Sequence, residues 1–199
     1  MNIDKMVEII NSSGLVISPT DTVYGIMGDA LNKESIKNVY DVKQRDYKKP
    51  LILLMSSIDM IKEYTLDISE DEMNLMKKFY PGCMTLLLRR NSKVDDMICN
   101  NGEYVGVRIP DNKDLIDIIN KLGRPVISTS ANISDNDVIT RVDMIEEELL
   151  KNIDYVEDGG EIVSLSSSVV RVVDGELIIL REGKISDEIK AYYMANLKK

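Results

Sequence analysis

The 199-residue chain reads as one α/β (α+β) domain built on a single mixed sheet flanked by helices, residues 1–199. Three observations point there. Segments with apolar residues at helical spacing alternate with short apolar runs, the pattern of buried strands joined by amphipathic helices. The run Leu51 to Met55, "LILLM", is apolar throughout, as a strand buried on both faces requires. Near the end Asp174-Gly175 separates two β-branched runs, the signature of a tight hairpin, so the sheet must contain antiparallel strands.

The elements follow in order. Ile3, Met6, Val7 and Ile10 recur at helical spacing, and Leu15 to Ile17 follows as a strand. Ile36, Val39 and Tyr40 mark a second helix, capped by Asn32. Ser69 to Glu72, "SEDE", is a capping box opening a helix that Pro81-Gly82 ends. "MTLLLRR" and "YVGVRIP" are strands, and between them and the strand "PVISTS" lies a helix with Leu115, Ile118, Ile119 and Leu122 on one face and Gly123 as its C-terminal cap. The acidic stretch from Glu146 to Asp158 reads as an exposed helix and loop, and one charged helix follows the hairpin.

Composition narrows the function. Lys plus Arg is 25 and Asp plus Glu is 34, so the net charge is −9 and opposes nonspecific attraction to nucleic acid; an anion site has to be a local cluster. Histidine is absent and the two cysteines, Cys83 and Cys99, form no CxxC pair. That sets aside a zinc site and a cysteine-histidine dyad, and leaves two structural thiols. The longest apolar runs fall far short of the ~20 residues of a membrane span, so a cytoplasmic protein without membrane contact is expected.

Four stretches carry candidate chemistry. In "VKQRDYKKPL" the cations Lys43, Arg45, Lys48 and Lys49 gather at a helix end, where they either complement the helix dipole in solvent or form an anion site at a strand edge. In "VISTSANIS", Ser128, Thr129, Ser130, Asn132 and Ser134 crowd a strand exit, either as turn formers or as neutral donors to a nucleotide. Arg108 alternates with Val107 and Ile109 and faces either solvent or a cleft. Arg181 follows an apolar strand and Ser166 to Ser168 precede the hairpin, each with a plain reading as strand-end polarity.

Together with the early loop "SPTDTVYG" (18–25), these stretches occur in one order that resembles the YrdC-like family of threonylcarbamoyl-AMP synthases: "KQR" with "KPL", "PGCMTLLL", "VGVRIP", "STSANIS", and "SSSVV" with "ILREG". The motifs span residues 18 to 183. The resemblance implies a twisted mixed sheet with a large concave cleft, and an enzyme that joins L-threonine, bicarbonate or CO2, and ATP into threonylcarbamoyl-AMP with release of pyrophosphate. A separate threonylcarbamoyl transferase machinery would then modify tRNA, which this chain itself would bind weakly if at all. By the same resemblance Lys43 and Arg45 are the catalytic cations, helped by Mg2+ carried on ATP. Arg45, Lys49, Thr85, Ser128, Ser130, Asn132 and Arg181 are nucleotide contacts. Thr20, Arg108 and Ser167 form the amino-acid pocket, with Ser166 to Ser168 aligned to within one residue. Thr20 is expected to offer its hydroxyl to the amino acid and Thr22 to pack; Asp21 and Tyr24 have no assigned role.

The chemistry suits a chain without a histidine or serine nucleophile. Carbamylated threonine attacks the α-phosphate, so the substrate brings its own nucleophile and the protein supplies positioning and cations. Lys43 and Arg45 are both expected at a wet cleft. The chain departs from the family pattern at Cys83, where PGP has proline, at Asn112, where histidine is common, and at Asp135, where glycine is common. A positive φ is therefore expected at Asp135. The resemblance is to the short, single-domain form. Two rival functions share the fold: an RNA-binding accessory protein, disfavoured by the charge of −9 and the 5% aromatic content, and a related carbamoyl-adenylate enzyme.

Overall fold

The computed structural model describes residues 1–134 and 136–196, so the expectation about Asp135 lies outside the described residues. Helix α1 (Ile3–Asn11) leads into strand β1 (Val16–Pro19), which turns back as β2 (Tyr24–Asp29). There follow α2 (Lys33–Val42), β3 (Ile52–Leu54), α3 (Ile58–Tyr64), α4 (Glu70–Phe79), β4 (Met84–Arg89) and β5 (Tyr104–Arg108). The chain continues through α5 (Lys113–Leu122), β6 (Val126–Ser130), α6 (Glu147–Leu150), β7 (Tyr155–Val156), β8 (Ser168–Val173), β9 (Glu176–Arg181) and α7 (Ser186–Asn196). The nine strands among the described residues form one mixed sheet in the order β7-β1-β2-β6-β3-β5-β4-β8-β9.

The local signals act where the sequence places them. Asn32 accepts the backbone N–H groups of Glu34 and Ser35, and Ser69 and Glu72 close a reciprocal capping box on α4. Gly123 takes the left-handed conformation at the end of α5 (φ 65°). Asp174 and Gly175 both have positive φ, 50° and 73°, which gives the tight turn its twist and joins β8 to β9 in antiparallel register.

Three differences stand out. β2 has no signature in the sequence because it is buried on both faces and carries Gly25 and Gly28, so it shows neither alternation nor β-branched enrichment. The loop after β1 is therefore a hairpin connection, and β1 pairs antiparallel with β2 before any helix intervenes. α3 is a further helix, capped by Ser57, that the periodicity did not mark. Part of the acidic stretch after α6 is β7, which adds to the edge of β1 in parallel.

Two apolar layers cover the sheet. On one face α1 and α5 bury Met6, Ile10, Leu115 and Ile119 against Val16, Met27, Leu54 and Val126. On the other, α2, α3, α4 and α7 contribute Ile36, Ile61, Leu75, Met76 and Ile189 to a larger cluster with Ile17, Ile26, Leu53, Leu86 and Val170. "LILLM" serves both layers: Leu51, Leu53 and Met55 enter the larger cluster and Leu54 the smaller. Register puts Ser128 beside Met27 and Arg108 beside Leu54, on the α1/α5 face. Beyond those helices that face opens into a cavity.

Candidate active site

The cavity has a volume of about 380 Å³, within the range usual for small-molecule sites. Of the candidates named from the sequence, Thr20, Arg45, Arg108, Ser128, Ser130, Ser167 and Arg181 line it, with Thr22, Thr129 and Ser166 beside them. Lys43, Lys49, Thr85 and Asn132 do not. Three of these four sit one hydrogen bond behind the wall, where they hold the residues that face the ligand space.

Lys43 is the clearest correction. Its side chain is 0% exposed, not at a wet cleft. The ammonium donates to the backbone carbonyls of Ser130 and Asn132 and, at 3.4 Å, to Asn132 Oδ1. Burial, reinforced by the Arg45 charge and opposed by Glu146, lowers its pKa from 10.5 to about 7. Asn132 is buried as well and donates to the Asn136 carbonyl, so it shapes the loop from within. Thr85, fully buried on β4, shares a 2.8 Å hydrogen bond with Ser167 Oγ. Lys49 contributes its carbonyl, which accepts from Arg45 Nε at 3.0 Å and from Tyr40, and its side chain lies off the wall.

Arg108 faces the cleft and not solvent: it is 4% exposed at the end of β5. Its Nε donates to Gly82 O (2.9 Å), one terminal nitrogen to Thr22 Oγ1 (3.0 Å) and the other to Asp21 Oδ1 (2.6 Å). Three of its five N–H groups are used, each on a different nitrogen, and two remain for a ligand. Asp21 thus gains a role that the sequence left open: it is the counter-charge that makes a buried guanidinium tolerable. A buried arginine needs such a partner, and that rule is the one signal that singles out Asp21 in its loop.

Both threonines of the loop line the cavity, but their hydroxyls meet different partners. Thr20 Oγ1 accepts the N–H groups of Thr22 and Val23, both at 3.1 Å, and donates to Val23 O at 2.7 Å, so its hydroxyl closes its own turn. Thr22, expected only to pack, holds Arg108. Tyr24 is fully buried; its hydroxyl donates to Gly160 O and accepts from Gly159 N, pinning the segment that leads to Ser166.

Arg45 donates to the carbonyls of Lys49 and Pro50, which fixes its guanidinium against the cavity. Arg181 sits at the rim and donates through Nε and one terminal nitrogen to Ser167 O (3.1 and 2.9 Å) and on to Ser167 Oγ (3.0 Å). Partial desolvation, then the charges of Arg108 and Arg45, lower the pKa of Arg181. Three guanidinium groups therefore converge on one cavity, and no described residue lining it is a carboxylate. In a chain of net charge −9 this concentrates positive potential in one place.

Cys83 lies against this site, its Sγ 3.5 Å from Asp21 Oδ2. Burial and then the Asp21 charge raise its pKa, and burial raises that of Cys99 to about 11. Neither thiol should react with iodoacetamide at pH 7.5 in the native protein, whereas both should be alkylated in urea. Peptide mass spectrometry reads this directly, and native modification of Cys83 would show that the Asp21 side of the cavity opens to solvent.

Comparison with known proteins agrees with the geometry. The family model for Sua5/YciO/YrdC proteins, described as "Telomere recombination", matches residues 8–183. A putative threonylcarbamoyl-AMP synthase of Methanocaldococcus jannaschii is 37% identical over 180 residues, covering 89% of this chain and 83% of that protein. A threonylcarbamoyl-AMP synthase of Bacillus subtilis is 30% identical over 182 residues, covering 90% of this chain and 53% of that protein. Among solved structures, P. abyssi Sua5 complexed with L-threonine superposes with a TM-score of 0.92 at 28% identity, over 98% of this chain and 58% of that one. The chain thus spans most of the first relative and about half of the other two. With the fold, the ordered motifs and the match over residues 8–183 in agreement, the chain belongs to the Sua5/YciO/YrdC family.

Proposed function

We propose that this chain is a cytoplasmic nucleotidyltransferase, an L-threonylcarbamoyladenylate synthase that makes threonylcarbamoyl-AMP and pyrophosphate from L-threonine, CO2 or bicarbonate, and ATP. The observation that carries the reading is the convergence of Arg45, Arg108 and Arg181 on a hydroxyl-rich cavity with no carboxylate among its described lining residues. A binding site for two anionic groups, a carboxylate and a polyphosphate, needs that balance. The names of the relatives and the threonine-bound neighbour support the choice of substrates.

The two free N–H groups of Arg108 suit the threonine carboxylate, with Thr22 and Asp21 holding the fork in place. Arg45 and Arg181 suit the phosphates, and the Ser128 and Ser130 hydroxyls supply neutral hydrogen bonds beside them. The threonine amine adds to CO2 and loses a proton, giving a carbamate. A carbamate oxygen then attacks the α-phosphorus, the bond to the bridging oxygen breaks, and pyrophosphate leaves with its electron pair. The protein aligns the two substrates and stabilises charge on the α-phosphate and the leaving group, where each well-placed donor contributes about 3 kcal/mol. Lys43 acts by holding the Ser130 and Asn132 carbonyls, a positioning role. No described residue of the wall is a carboxylate, the side chain on which a protein usually holds Mg2+, so Mg2+ belongs on the triphosphate. The adenylate, a mixed anhydride, is passed to a threonylcarbamoyl transferase acting on tRNA.

The test is pyrophosphate release with ATP, bicarbonate and each amino acid in turn, with mass analysis of the adenylate. Release that depends on threonine and a threonylcarbamoyl product are expected. Threonine-independent release, or none, would overturn the synthase reading.

A further inference from the structure

Ser167 and Arg181 bond to one another, yet what fixes their position lies outside the cavity. The backbone at Gly183 packs directly on residues 166–168. A Cβ added there would lie 2.5 Å from Ser166 O, Ser167 C and Ser168 N, all backbone atoms that cannot swing aside. The Lys184 N–H donates to Ser166 O at 3.0 Å, and the Ser168 N–H donates to Cys83 O at 2.9 Å. Residues 166–168 are thus held between the start of β4 and the turn that follows β9.

Two buried hydroxyls lock that turn. Ser186 Oγ, in a residue 4% exposed at the start of α7, accepts the Gly183 N–H (2.9 Å) and donates to Ser168 Oγ (2.9 Å). Ser168, 0% exposed, also accepts the Ile185 N–H at 3.1 Å. Apolar side chains of similar size would fill this space without the desolvation cost that hydroxyls bring. A buried network in which both oxygens are engaged instead specifies one geometry. That geometry sets the Ser167 carbonyl and hydroxyl, and through them the Arg181 guanidinium, whose second terminal nitrogen has no partner among the described residues and is left for a ligand.

We propose that Gly183, Ser168 and Ser186 are positioning residues for the phosphate-binding side of the cavity, acting through Ser167 and Arg181. Naming the ligand as ATP rests on the synthase reading above. Loosening the lock lets Arg181 leave Ser167 and spreads its orientations, so ATP binding weakens while the rest of the site is kept.

The experiment compares the full chain with Gly183→Ala, Ser186→Ala and Ser186→Thr. It measures ATP binding by calorimetry, melting temperature, and KM for ATP and for bicarbonate. Losing a preorganised charge-assisted contact weakens ATP binding about tenfold in Gly183→Ala and about threefold to tenfold in Ser186→Ala. Ser186→Thr, which keeps the hydroxyl, stays within about twofold of wild type, and KM for bicarbonate is unchanged in all three. ATP binding within about twofold of wild type in both Gly183→Ala and Ser186→Ala overturns the proposal, as does a parallel rise of both KM values, the mark of a general loosening. If Gly183→Ala does not fold, the Ser186 pair decides. Wild-type protein that binds ATP but releases no pyrophosphate with threonine sinks the synthase reading, and the ATP titrations still decide the positioning role. Wild-type protein that binds no ATP overturns both.

Discussion

Arg108→Lys should lower kcat/KM for threonine by about two to three orders of magnitude, from the loss of two charge-assisted hydrogen bonds, while KM for ATP stays within a few-fold. The substitution keeps the positive charge, so Asp21 retains a counter-ion and the fold is spared. Truncation to alanine would leave Asp21 buried and unpaired at a cost of about 3–5 kcal/mol and would confuse binding with stability. An ammonium has three donors at most, and Gly82 O, Thr22 Oγ1 and Asp21 Oδ1 already claim three from Arg108. Nothing would then remain for the substrate carboxylate. Initial rates with threonine varied at saturating ATP read the effect, and an unchanged kcat/KM would remove Arg108 from the amino-acid pocket.

Lys43→Met should lower adenylate formation by about a hundredfold or more, as loss of a residue that holds the Ser130–Asn132 loop at the cavity implies, and it should also lower stability. Each buried carbonyl left without its donor costs about 1–3 kcal/mol, so the variant should melt at lower urea concentration than wild type. The pH dependence separates this from an effect at a wet surface. Between about 7 and 10.5 the unfolded chain holds a proton on Lys43 that the folded chain has released, so wild-type stability rises with pH in that window. The contribution is fully present above 10.5 and gone below about 7. The stability gap between wild type and Lys43→Met should therefore widen by about 1.4 kcal/mol per pH unit above neutrality and be flat below it. Urea melts at pH 6, 7.5 and 9 decide; a gap that does not change with pH would mean the ammonium keeps its proton throughout.

Much of the fold could be read in advance because its signals are local. A capping box, a left-handed glycine cap and an Asp-Gly turn each act within a few residues, and they fall where the chain places them. β2 is silent in the sequence because glycines and two-sided burial erase the period-two pattern of a strand. The site divides the same way. Arg45, Arg108, Ser128, Ser130 and Arg181 could be named from motifs and do line the cavity. The separate partners of Thr20 and Thr22 could not, since two nearby hydroxyls in one loop differ only in which group each meets.

The order of motifs along the chain determined the family, the cation-rich character of the site and most of its lining. Tertiary structure decided which polar groups face the ligand and which stand behind them. Lys43 meets Ser130 across 87 residues, Arg108 meets Asp21 across 87, and Thr85 meets Ser167 across 82. Burial and hydrogen-bond partners at such separations follow from strand order and register, so a lysine that looks like a surface cation in the linear chain becomes a buried strut once β6 and its loop close over it.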